Sequence, residues 1–132
     1  MDETANLKSI DNIRRPFRFM LFFGIPFAGL LGANFLIGMP LLRANVDVIS
    51  FAWIGIACLV NALQCDRVHC WFTGPWCLLV AIALLAYEFL DIRPARISFA
   101  DIVNAGVIIF LLLWFVPELI LGRYFTRHSR ET

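Results

Sequence analysis

The sequence predicts an all-α integral membrane protein, a four-helix bundle with antiparallel up-and-down neighbours and both termini in the cytoplasm. Three observations carry that expectation. Of the 132 residues, 61% are hydrophobic and only 16% charged, far from the roughly half-apolar, quarter-charged mixture of a soluble domain. The apolar residues fall into four runs that approach or exceed the length needed to cross a hydrocarbon core of roughly 30 Å at about 1.5 Å per residue. The connections between runs are short, which makes consecutive helices neighbours.

Residues 1–16 carry Asp2, Glu3, Lys8, Asp11, Arg14 and Arg15 and are expected to form a cytoplasmic N-terminal segment, followed by a transmembrane domain over 17–124 and a cytoplasmic tail over 125–132. The first span is expected at about 19–42. Its apolar part exceeds the core of a signal peptide and no small-x-small cleavage site follows, so it is expected to stay uncleaved. Within it Gly24, Ala28 and Gly32 recur every four residues, which strips one helix face of bulk and invites close approach of another helix. Pro26 in the same stretch frees a backbone carbonyl and predicts a bend.

The second span is expected at 46–64, after a connection around Arg43, Ala44 and Asn45. Pro75, preceded by Thr73 and Gly74, reads as a start signal for the third span at 76–91, because a proline costs no hydrogen bond in a first helical turn. The fourth span is expected at 101–122. Trp71, Trp76 and Tyr124 read as an interfacial aromatic belt. Lys8, Arg14, Arg15, Arg18, Arg67, Arg123, Arg127 and Arg130 fall on one side of this arrangement and Arg43, Arg93 and Arg96 on the other. The excess puts the termini and the 65–75 loop in the cytoplasm, and a bacterial inner (plasma) membrane is the expected location.

Polar residues within spans must find partners or face water. Asn34, Glu88 and Asn104, with Asp47, Asp91 and Asp101 at the rim, form an outer layer; Asn61 and Glu118 form an inner one. Interhelical hydrogen bonds are expected for the outer layer, with the rim carboxylates pairing with Arg43, Arg93 and Arg96.

The most distinctive segment runs Cys65-Asp66-Arg67-Val68-His69-Cys70-Trp71-Phe72-Thr73-Gly74-Pro75. All four cysteines and one of the two histidines lie within twenty residues. If the second helix continues past the membrane, Cys58, Asn61, Cys65 and His69 share one narrow stripe and Cys65 and His69 stand one turn apart. In a reducing cytoplasm thiolates beside an imidazole suit a soft or borderline ion such as zinc, copper or mercury. The expected ligands are Cys65, His69 and Cys70, with Glu118 as a fourth ligand, a proton acceptor or the ion-pair partner of Arg67. Cys58, Asn61 and Arg67 support them, Arg67 by favouring the thiolate. Cys58 and Cys77 also read as small apolar filler.

The spacing C-x4-C is not a zinc-finger pattern, and no nucleotide loop, serine triad or H-E-x-x-H supports an enzyme of those kinds. A net charge of +1 gives no basic field for nucleic acid. The leading expectation is therefore a protein that lies in the lipid bilayer and binds, or transports, a soft metal ion. The first alternative is a non-catalytic accessory subunit or assembly factor of a larger membrane complex, or a homo-oligomer. The second is a membrane thiol oxidoreductase cycling Cys65 and Cys70 between dithiol and disulfide.

Overall fold

The computed structural model describes residues 16–36 and 38–122, without the side chains of Leu36 and Cys65. The tail expected at 125–132, and the N-terminal segment up to residue 15, lie outside the described residues. Among the described residues the architecture is all-helical, and four helices are long and apolar enough to span a membrane. Helix α1 joins an α-helical turn at Pro16–Phe19, a π-helical turn at Met20–Gly24 and an α-helix at Ile25–Leu36. Helices α2, α3 and α4 run Pro40–Cys65, Val68–Phe89 and Phe99–Leu121.

The boundaries differ from the expected ones where proline was misread. Pro40 ends the first span early: Gly38 and Met39 break the chain, Met39 is extended (φ −91°, ψ 115°), and Pro40 opens α2 at its first turn. An extended residue before proline and a proline in a first turn are both sterically favoured. Arg43, Ala44 and Asn45, expected as a connection, are therefore inside α2. Pro75 plays the opposite part, lying inside α3 rather than starting it. Its missing N–H, which would have reached the Trp71 carbonyl one turn earlier, is tolerated at an exposed position. At Pro26, where a bend is expected, the described feature is a widened ladder. The Ile25 N–H reaches back five residues to the Met20 carbonyl, so the ladder widens into a π turn just before the proline.

Helix α2 packs on α1 and α3, and α3 packs on α4. The core lies along α2 and α3, where Phe51, Ile54, Cys58, Cys70, Cys77 and Leu84 are all buried. These two helices bury 56% and 50% of their most apolar windows, against 22% and 17% for α1 and α4. Exposed apolar faces of that extent are compatible with lipid contact, since lipid tails are as apolar as the side chains.

Close helix approach also differs from expectation. A Cβ at Gly32 would meet nothing within 4 Å, and one at Gly24 only Met20 of its own helix. Ala28 is exposed. The small-residue stripe of α1 thus makes no close helix crossing among the described residues. The close crossing is instead between α2 and α3, where a Cβ at Gly55 would lie 3.1 Å from the Gly74 carbonyl oxygen and one at Gly74 would lie 3.3 Å from that of Gly55. Trp76, expected at the interface, ties α3 to α4 by donating from Nε1 to the Gly106 carbonyl at 3.1 Å.

Helix α4 starts at a capping box: the Asp101 N–H donates to Ser98 Oγ at 3.2 Å, and the Ser98 N–H donates to Asp101 Oδ2 at 2.8 Å. Asp101 is thus a cap rather than a partner for an arginine. Ser98→Ala is expected to cost about 1 kcal/mol and to speed hydrogen exchange at the first-turn amides of α4 while leaving α2 and α3 protected. Of the expected rim pairs, Asp91 and Arg93 meet at 2.9 Å, both exposed. Asn34 donates to the Leu30 carbonyl of its own helix at 2.8 Å rather than across helices, and Asn104 is exposed.

Candidate functional site

The site is made by a reversal of two residues. Helix α2 ends at Cys65; Asp66 turns into the left-handed region (φ 51°, ψ 36°) and its N–H closes on the Ala62 carbonyl; Arg67 is extended, and α3 begins at Val68. Aspartate is among the few residues that adopt this conformation readily. The stripe expected along a continuing second helix is therefore cut. Cys58 and Asn61 stay on α2, while His69 and Cys70 return on the first turn of α3.

That return brings six of the expected residues together. His69 is fully buried, with Nδ1 2.5 Å from Glu118 Oε1 on α4 and Nε2 3.3 Å from Cys70 Sγ. Arg67 Nε donates to the same Glu118 oxygen at 2.9 Å. Asn61 Nδ2 donates to Cys70 Sγ at 3.4 Å. Cys58 lies within hydrogen-bonding reach of Cys70 and accepts from Thr73 Oγ1 at 3.4 Å. Trp114 stacks on the His69 ring, with centroids 4.2 Å apart and planes inclined by 24°.

These partners assign the histidine tautomer. A carboxylate held by Arg67 accepts from Nδ1–H, so Nε2 keeps its lone pair and faces the Cys70 thiol. The result is a chain from guanidinium to carboxylate to imidazole to thiol. It ends in the core, since Cys58 and Cys70 are both 0% exposed, whereas the Glu118 side chain is 18% exposed. Two kinds of chemistry suit such a line. An oriented base beside a thiol promotes loss of the thiol proton, and an imidazole fixed by a carboxylate presents its other nitrogen to a metal ion.

The expected ligand set is not gathered around one point. Glu118 and Cys70 sit on opposite ring nitrogens of His69, so Glu118 orients the ring instead of sharing an ion with Cys70. The Cys65 side chain lies outside the described residues. Among the described residues no three His, Cys, Asp or Glu side chains form a group spaced to hold a metal ion. Cys77 is buried in the core, as filler would be, but Cys58 adjoins the site. Thr73 and Trp114 were not anticipated. Trp114 stands four residues before Glu118, one turn away on the same face of α4, so the spacing held the signal for it.

No protein-family model matches the chain, and comparison with curated proteins and with solved structures finds no match.

Proposed function

We propose that this is a small membrane protein that binds a soft or borderline metal ion at Cys70 and His69 and passes it across the bilayer. The observation that carries the reading is the Glu118–His69–Cys70 line. An ion bound by sulfur at about 2.3 Å and by imidazole nitrogen at about 2.0–2.1 Å keeps those two atoms roughly 3.5 Å apart in tetrahedral geometry, close to the 3.3 Å found between Cys70 Sγ and His69 Nε2. The carboxylate on the far ring nitrogen is the outer partner that metal-binding histidines typically have. Zinc, copper(I) and mercury(II) fit this sulfur and nitrogen donor pair. Cys58, beside Cys70, and Cys65, at the end of α2, are the candidate third ligands. The burial of Cys70 favours a small ion over a bulkier substrate.

The proposal includes a topology: antiparallel neighbours, both termini and the Asp66–Arg67 reversal in the cytoplasm, and an inner-membrane location, all supported by the distribution of Lys and Arg. In it, the small-residue face of α1 is where a second copy or a larger complex would pack.

Protein purified without chelators or affinity metals is expected to carry about one ion per chain, released with uptake of protons at low pH because thiolate ligands must be deprotonated to bind. Cys70→Ser and His69→Ala should abolish binding, and Glu118→Gln should weaken it about 10–100-fold. Unchanged stoichiometry in both ligand variants would sink the metal reading.

A second reading, a redox-active dithiol, is favoured by the proximity of Cys58 to Cys70. It pairs different cysteines from the Cys65 and Cys70 expected from sequence. Mass spectrometry of rapidly alkylated cells should then recover a Cys58–Cys70 disulfide in a fraction of the chains; a fully reduced pair under both oxidising and reducing growth would remove this reading.

A further inference from the structure

Asp47 has no part in the site at Cys70. Expected as a rim carboxylate, it is instead 0% exposed on α2, and among the described residues neither carboxyl oxygen has a hydrogen-bond partner. Four residues earlier, Arg43 is half-exposed, yet its Nε is likewise buried and unpartnered. Helix α1 closes over this stretch: a Cβ at Gly29 would lie 3.1 Å from Ser50 Oγ and 3.7 Å from Val46. Arg43 is the charged group that acts on Asp47 among the described residues.

A carboxylate that is desolvated and accepts no hydrogen bond is strongly disfavoured, while the neutral acid is not. Full ion pairing with Arg43 would relieve the charge, but no contact of ion-pair length joins the two side chains. Ionisable groups that persist inside a membrane despite this cost mark proton or ion pathways. A metal cation is a poor occupant beside a guanidinium, and a proton fits.

We propose that Asp47 is a proton-binding site within the bilayer, its carboxyl holding an exchangeable proton on the same helix as the Arg43 guanidinium. The inference stands apart from the metal reading, because it uses none of the same side chains.

The test uses the full chain in phosphatidylcholine vesicles and dicyclohexylcarbodiimide, a lipid-soluble reagent that attacks neutral carboxyl groups. Peptide mapping of the unmodified sequence is expected to find the adduct on Asp47, falling as the pH rises and the acid ionises. Glu118, ion-paired with Arg67, should stay unlabelled, and Cys70→Ser should leave labelling at Asp47 unchanged. Asp47→Asn should remove the adduct; the mapping on the natural sequence stands even if that variant folds poorly. Absence of an adduct at Asp47 at every pH, or labelling indifferent to pH, would overturn the proposal.

Discussion

Glu118→Leu is expected to destabilise the protein by about 3–5 kcal/mol, the cost of removing one member of a buried charged cluster. Glu118 Oε1 is shared by Arg67 Nε at 2.9 Å and His69 Nδ1 at 2.5 Å, and both donors come from residues less than a tenth exposed. Leucine fills the volume but accepts nothing, so a desolvated imidazole N–H loses its acceptor and a guanidinium loses its carboxylate. Glutamine keeps a carbonyl oxygen in place and should cost about 1–2 kcal/mol. Equilibrium unfolding in mixed micelles reads both values. A Glu118→Leu protein within about 1 kcal/mol of the parent would mean that the cluster is solvated or that His69 has another acceptor. Because α4 buries little of itself elsewhere, the same variant should loosen α4 first, seen as faster hydrogen exchange there than in α2.

The spans were legible because hydrophobicity over twenty residues is a bulk property, insensitive to the identity of any one side chain. The ends were less so, and both errors came from proline. Pro40 and Pro75 carry the same intrinsic preference for a first turn; what separates them is that Gly38 and Met39 let the chain break before one, while the other lies seven residues inside a helix already begun at Val68. The inner corner was legible in its members, since His69, Cys70, Arg67, Asn61 and Glu118 are the polar residues that an apolar chain must bring together. Its geometry was not. The left-handed turn at Asp66 moved His69 from α2 to α3, and no periodicity argument crosses such a reversal. Asp47 was misread for a related reason: once α2 begins at Pro40, a residue expected at the rim lies two turns inside.

Gly74→Val is expected to have the next largest effect, and its contrast with Gly32→Val tests which glycines hold the bundle. A Cβ at Gly74 would sit 2.8 Å from Leu59 Cγ and 3.3 Å from the Gly55 carbonyl oxygen. The side chain can move, but the carbonyl belongs to the backbone of α2, so even alanine should cost about 1–3 kcal/mol and valine should reach or exceed the top of that range. Gly32 meets nothing within 4 Å, and its replacement by alanine or valine should be neutral or stabilising, because glycine is the poorer helix former by up to about 1 kcal/mol. Unfolding midpoints of the two series give the comparison, and equal losses at both positions would contradict the crossing described. Leu59→Ala offers a finer discrimination. It should recover part of the loss in Gly74→Ala, since the nearer clash is with the Leu59 side chain, but not the part due to the Gly55 carbonyl. A double-mutant cycle between positions 59 and 74 should therefore show a favourable coupling of about 0.5–2 kcal/mol, whereas a cycle between 59 and 32 should show none.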